Sequence, residues 1–428
     1  MKMASTRKAT RIRWRRLSAV GAVALSAALV AACSSGGGSS SGSGGSKPTF
    51  TLYDPYTYLN ASSPWAKVLD SCFAKAGVQL KRTSYDNGQM PTQTLLAAQQ
   101  GRSPNIVVID NVVVSTLIKA GVLASNDQTK IDVTGIPANF MAAGTVDGKV
   151  YGVPVGANTI ALYYNKKILA AAKINPASIT SWNALTSALQ KVKKAGYGGI
   201  TLSAVGTEEG SFQFMPWLWG SGGDLTNLAS SDNVAAMSLW TGWMKSGLTP
   251  NADLQTTQTD AWAPFAAGKY GFAENGPWEE PAAGQLPFKY GVILIPSKTG
   301  GEPAPVPLGG EWVTIPVQKD TGTYATSRKI VNCLTSPGSA YTADNALSYI
   351  GVRTAVQQRQ QSANPAYAIW VKAVNVARGR TADGLGTNYP KISEQLWNAI
   401  QASLSGSKTP QDAMQAAQTA AAQATGGK

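Results

Sequence analysis

Three short β-prone runs, Thr49-Phe-Thr-Leu-Tyr53, Val78 to Tyr85 and Asn105-Ile-Val-Val-Ile-Asp110, alternate with stretches whose apolar residues recur at helical spacing. Strand, helix, strand, helix, strand in about 70 residues is the α/β rhythm of an open parallel sheet with helices on its faces. The punctuation agrees. Asp54-Pro55 stops the first strand, and Ser63-Pro64-Trp65 opens a helix through Val68, Leu69, Cys72 and Phe73. Pro64 suits a first turn because its missing N–H would be unpaired there anyway. Met90 to Gln100 reads as a helix ended by Gly101, and Val112 to Ala120 as one capped by Gly121. The unbroken run Ile-Val-Val-Ile before Asp110 predicts a strand buried on both faces.

Beyond this unit, Gly148-Lys-Val-Tyr-Gly-Val-Pro-Val-Gly through Tyr164-Asn-Lys166 places two extended pieces around Pro154 and Gly156, as in a chain crossing between two bodies. Helices are predicted from Ser178 to Lys194, Phe212 to Trp219 and Ala235 to Met244, with strands at Ile200 to Ser203 and Lys269 to Ala273. Tyr290 to Pro296 and Gly309 to Pro316 read as a second extended return. Thr323 to Leu334, Tyr341 to Tyr349, Pro365 to Ala377, Ile392 to Leu404 and Pro410 to Gln423 then read as helices, the last an edge helix rich in Ala and Gln.

The first 32 residues carry seven Lys or Arg and no carboxylate, followed by the apolar run Ser18 to Val30 and then Ala31-Ala32-Cys33. A basic head, a short apolar core and small residues before a cut site describe a secretory signal peptide. The run is shorter than the roughly 20 residues a membrane-spanning helix needs. Val30-Ala-Ala-Cys33 is similar to a bacterial lipobox, which predicts lipidation at Cys33, and Ser34 to Ser46, all Ser and Gly, is a flexible tether. Taking the seven cations of the leader from the chain's +14 leaves +7, scattered without a dense basic block, which argues against a nucleic-acid partner.

About 380 residues follow the tether, enough for two or three cored domains. Cys72 and Cys333 are the remaining cysteines, a candidate pair in an oxidising exterior or two separately buried thiols. Histidine is absent, which removes Ser-His-Asp and Cys-His arrangements and imidazole zinc sites. No metal site and no cofactor is expected.

Tyr151-Gly-Val-Pro through Tyr164-Asn-Lys, then Ser181-Trp182-Asn-Ala-Leu, Gly276-Pro277-Trp278, and Leu404-Ser-Gly-Ser-Lys-Thr-Pro410-Gln-Asp-Ala-Met414 occur in an order that resembles the maltose-binding-protein-like solute-binding proteins of ABC importers. The resemblance covers roughly residues 47–424. It implies a two-lobed α/β fold of the periplasmic-binding-protein type, with a hinge and a ligand cleft between the lobes. The expected lobes are 47–157 with 305–355, and 158–304 with 356–428. It also implies a mono- or oligosaccharide ligand, delivery to permease subunits, a membrane attachment through the N-terminal lipid, and a monomer. In that fold the helices bearing Cys72 and Cys333 share the N-terminal lobe, which makes a Cys72–Cys333 disulfide reasonable.

Ligands of open α/β sheets sit beyond the carboxyl ends of the strands. The residues just past the predicted strands are therefore candidates: Asp54, Tyr56, Asp110, Asn111, Asn158, Glu274, Trp278, Glu311 and Trp312. A sugar offers a C–H face to an aromatic ring and hydroxyls to polar side chains. Trp278 falls at the family's stacking position, with a core Trp as the alternative, and Trp312 suits a platform or the core. Asn158 stands where maltose binders resemble one another in having an acidic contact. Phe212 falls at the aromatic position of the family's Glu-Pro-Tyr segment but brings no hydroxyl. Arg353 and Tyr389 lie in C-terminal segments that reach the cleft in this family.

The enzymatic rival is a glycoside hydrolase, which needs two carboxylates about 5 to 9 Å apart across the bond. Glu208-Glu209 and Glu279-Glu280 are sequence neighbours that point different ways. A polyol, glycerophosphodiester or polyamine ligand is the closer rival. A polyamine would require several acids in the cleft, and few are expected there.

Overall fold

The computed structural model describes residues 47–426; the leader, Cys33 and the Ser/Gly tether lie outside the described residues. In chain order the strands that matter are β1 (Thr49–Asp54), β2 (Gln79–Ser84), β3 (Ile106–Asp110), β4 (Val153–Pro154), β5 (Ala161–Asn165), β6 (Gly198–Thr201), β7 (Tyr270–Asn275), β8 (Tyr290–Ile293), β9 (Pro307–Leu308), β10 (Glu311–Thr314) and β11 (Arg378–Gly379). They form two main sheets. The first runs β2-β1-β3-β10-β4 and the second β8-β5-β7-β6, with β9 and β11 paired separately.

In the first sheet β1 pairs parallel with β2 and β3, as the sequence rhythm predicts, but β10 lies antiparallel between β3 and β4. The sheet is therefore mixed. Its faces follow from strand alternation: Ile106 and Val108 enter one core with Leu52, Val313 and Ile315, while Val107 and Ile109 enter another with Leu117 and Trp312. The helix Pro64–Lys75 starts on Ser63, whose side chain accepts the Ala66 N–H, and buries Trp65, Val68, Leu69, Cys72 and Phe73 on one stripe. It packs against the helices Tyr324–Leu334 and Pro337–Leu347, and Cys72 is disulfide-bonded to Cys333 with Cα atoms 5.6 Å apart.

The second sheet has its own core. The helix Trp182–Lys194, capped by Ser181, lays Trp182, Leu185, Ala188, Leu189 and Val192 into it. The helix Glu208–Gly220 is buried from Gly210 to Trp219, and Pro410–Thr425 packs through Ala413, Met414, Ala417 and Ala421. Glu274 proves to lie within β7, not past its end.

The chain passes between the sheets from β4 to β5 and returns from β8 to β10. These segments meet: Ala157 bridges Ile350, and Asn158 bridges Gly309. Gly310, at φ 110°, approaches so closely that a Cβ there would lie 2.5 Å from the Gly156 carbonyl, so only glycine fits. The polar helix Thr354–Ala363, which the apolar pattern does not announce, follows this junction.

Candidate functional site

A cavity of about 580 Å³ opens where the carboxyl ends of β1, β2, β3 and β7 meet the start of β10. Its size suits a small-molecule site. From the first sheet's side come Tyr58, Asn87, Asp110, Glu311 and Tyr349, and from the second Glu208, Glu209, Phe212, Trp278 and Glu279, with Asn158 and Arg380 between. The enclosure mixes aromatic rings with convergent polar groups.

Of the sequence-predicted residues, Asp110, Asn158, Phe212, Trp278 and Glu311 line the cavity. Trp278 is half-buried, in a short 3₁₀ turn Pro277–Glu279. Its indole lies back over Gly276, where a Cβ would come within 2.0 Å of the ring, so the Gly-Pro-Trp sequence sets the ring's position. Glu311 accepts hydrogen bonds on one oxygen from the Tyr56 and Tyr349 hydroxyls. Burial, reinforced by the nearby Asp110 charge, pushes its carboxyl up to about 7.

The other seven are placed elsewhere, each for a physical reason. Asp54 is buried in a structural network, accepting from Trp65 Nε1 at 2.9 Å, Arg82 Nε at 2.6 Å and Ser84 Oγ at 2.7 Å. Tyr56 points inward to Glu311, and it is Tyr58, 71% exposed, that lines the cavity. Asn111 stands behind Asp110, donating to the Leu308 carbonyl and accepting from Arg380. Glu274 is fully buried against Trp217 Nε1 at 3.0 Å, and burial raises its carboxyl well above the usual range. Trp312 is a core residue, 2% exposed. Arg353 donates to the carbonyls of Thr335 and Thr134, away from the cavity. Tyr389 is buried and donates to Glu208 behind the wall.

Sequence reasoning missed Arg380, the only Lys or Arg among the described lining residues. It sits just past β11, 4% exposed, and its guanidinium forks between Asp110 at 2.7 Å and Glu208 at 2.6 Å. A third bond reaches Asn111 at 2.9 Å, and the group lies 5.0 Å over the Phe212 ring. Glu208 also accepts Ser393 Oγ at 2.5 Å. Glu209 accepts the Gln258 N–H at 2.8 Å. Neighbouring Glu279 and Glu280 diverge: Glu280 turns inward to Tyr163, Tyr290 and Trp370, while Glu279 lines the cavity. Burial pushes the Glu279 carboxyl up to about 7. Five acids therefore reach the cavity, more than the sequence led one to expect.

Residues 67–369 match the family described as bacterial extracellular solute-binding protein. The maltodextrin-binding protein MdxE of Bacillus subtilis is 29% identical over 202 residues, 41% of this chain and 44% of that protein. The chain thus spans about two fifths of the length of the curated relatives it matches. The structure of a cyclic α-maltosyl-1,6-maltose binding protein from Arthrobacter globiformis superposes with a TM-score of 0.73 at 23% identity, over 88% of this chain and 99% of that one. UgpB of Mycobacterium tuberculosis, solved with glycerophosphocholine, gives 0.74 at 17% identity over 89% and 99%. These likenesses establish a two-domain periplasmic-binding-protein fold.

Proposed function

The chain belongs to the bacterial extracellular solute-binding proteins, and from that premise we propose that its solute is a carbohydrate, held in this cavity and handed to the permease of an ABC importer. The observation that carries the reading is the half-buried Trp278 ring beside Asp110, Asn158, Glu279 and Glu311 in one enclosure. An aromatic face for sugar C–H groups and acceptors for hydroxyls are what a saccharide requires. The name of the Bacillus subtilis relative supports the same reading. A glycerophosphodiester fits less well. Its phosphate would need a cation, and Arg380 is already engaged by Asp110 and Glu208.

In this reading residues 47–157 with 305–355 form one lobe and 158–304 with 356–428 the other, closing over the ligand by bending at the crossing segments. The chain acts as a monomer and not as an enzyme. Thermal-shift screening followed by calorimetric titration tests the ligand class, because binding to the native state alone raises the midpoint. Saccharides should shift it; a shift by polyols or polyamines alone would refute the assignment. Cys33 is the proposed acylated N-terminus, so Cys33→Ser should abolish labelling by a palmitate analogue. Equal labelling of both proteins would remove the lipid anchor.

A further inference from the structure

Five acids line this one cavity against a single arginine, although the chain beyond its leader still carries a net positive charge. The acidity is therefore local to the cavity. Arg380 neutralises part of it by its paired bonds to Asp110 and Glu208. Glu209, Glu279 and Glu311 remain without a cationic partner among the described residues. Glu209 takes a backbone N–H, and Glu311 two phenol hydroxyls on a single oxygen.

Glu279 is the sharpest case. It is 6% exposed, lines the cavity next to Trp278, and its carboxylate accepts no hydrogen bond from the described residues. Its oxygens face the cavity and are left to be paired by whatever enters it. Its neighbour Glu280 shows the alternative within the same turn, with three donors to two oxygens. The acids are dispersed round the walls: among the described residues no three acids, Cys or His are placed to hold a metal ion. An extended organic cation suits such an arrangement better than a point ion does.

We propose that the ligand is a saccharide bearing a free, protonated amino group, its ammonium received by Glu279 and its ring by the neighbouring Trp278. The proposal rests on the carbohydrate reading above and narrows it. A hydroxyl can also make a charge-assisted bond to an ionised carboxylate, but only an ammonium cancels the charge as well.

The test is calorimetric titration of the whole exported chain with three trisaccharides: the fully deacetylated glucosamine trimer, its N-acetylated counterpart and maltotriose, at a pH where the amine is protonated. The deacetylated trimer should bind about tenfold or more tightly than either neutral one, as a charge-assisted bond predicts. Glu279→Gln should erase that advantage, and Glu394→Gln, on an exposed position, should leave it intact. The Glu279→Gln protein should keep its denaturation midpoint, since no internal bond is lost. Equal or tighter binding of a neutral trimer, insensitive to Glu279→Gln, would overturn the amino-sugar proposal and leave the carbohydrate reading standing. Binding of spermidine or glycerophosphocholine, or of nothing in the panel, with no saccharide bound would overturn both.

Discussion

At the scale of single residues, Trp278 decides most. Its ring is seated on Gly276 and faces the cavity, half-buried before any ligand arrives. Trp278→Ala should therefore weaken saccharide binding by about 2 kcal/mol, as central aromatic anchors do. Fold stability should fall less than for a fully buried ring, because Trp278 only packs, half-buried, on the edge of the second core. A core tryptophan such as Trp217, 0% exposed, should cost about 3 to 5 kcal/mol of stability on the same substitution. Denaturant midpoints beside ligand titrations separate the cases; a large drop in midpoint with unchanged affinity would move Trp278 into the core. Trp278 was legible because it follows a strand in a Gly-Pro-Trp turn. Arg380 was not, since its partners Asp110 and Glu208 are 270 and 172 residues away, and nothing local in Arg-Gly-Arg marks which arginine turns inward.

Elements were legible where one side faces a core. The helices at 64–75 and 182–194 carry both an apolar stripe and a Ser cap, and both form, the second starting at Trp182 where Ser178 was expected. Thr354–Ala363 was missed for a definite reason: its buried face is Val356, Gln357 and Gln360. The two glutamines donate to the Gly351 and Tyr349 carbonyls at 2.8 and 2.7 Å, so the helix is held by amide bonds that hydrophobic periodicity does not register. β10 misled in another way. Glu311-Trp312-Val313-Thr314 is buried at every position, so alternation gave no means of telling which of Glu311 and Trp312 faces the cavity. The disulfide provides the prediction at this scale. It links the helices Pro64–Lys75 and Tyr324–Leu334 across a sequence separation of 261. Closing so long a loop stabilises by up to roughly 5 kcal/mol in the chain-entropy description. Cys72→Ala with Cys333→Ala should lower the denaturant midpoint by a corresponding amount and leave saccharide affinity nearly unchanged, because neither cysteine touches the cavity. A midpoint that does not respond to reductant would show that the bridge contributes nothing.

Across the whole molecule, Arg380 adds an ion-pair tie to the crossing segments and to the packing of the helix Asn111–Lys119 on the turn Gly386–Asn388. One arm of the guanidinium holds Asp110 and Asn111 at the end of β3 in the first sheet; the other holds Glu208 at the head of a helix packed in the second core. A contact made in one arrangement of two bodies and lost in another biases the equilibrium between them by its own differential energy. Arg380→Lys keeps a positive charge but gives up the rigid fork that serves both acids at once. The ligand-free variant should then populate a more open form, seen as a larger radius of gyration by small-angle scattering. Its affinity should fall, because the ligand must pull closed what the arginine had held. With saturating ligand the radius should return to the wild-type value, since the ligand's own contacts span the same gap. Arg380→Met should go further and lower stability, by less than the roughly 3 to 5 kcal/mol of a fully buried pair, because Asp110 and Glu208 are partly exposed to the cavity. If Arg380→Lys matches wild type in ligand-free radius and in affinity, the arginine supports only the cavity wall, and the relation of the two bodies is set by the crossing segments and the packing of Val112 and Phe140 on the second core.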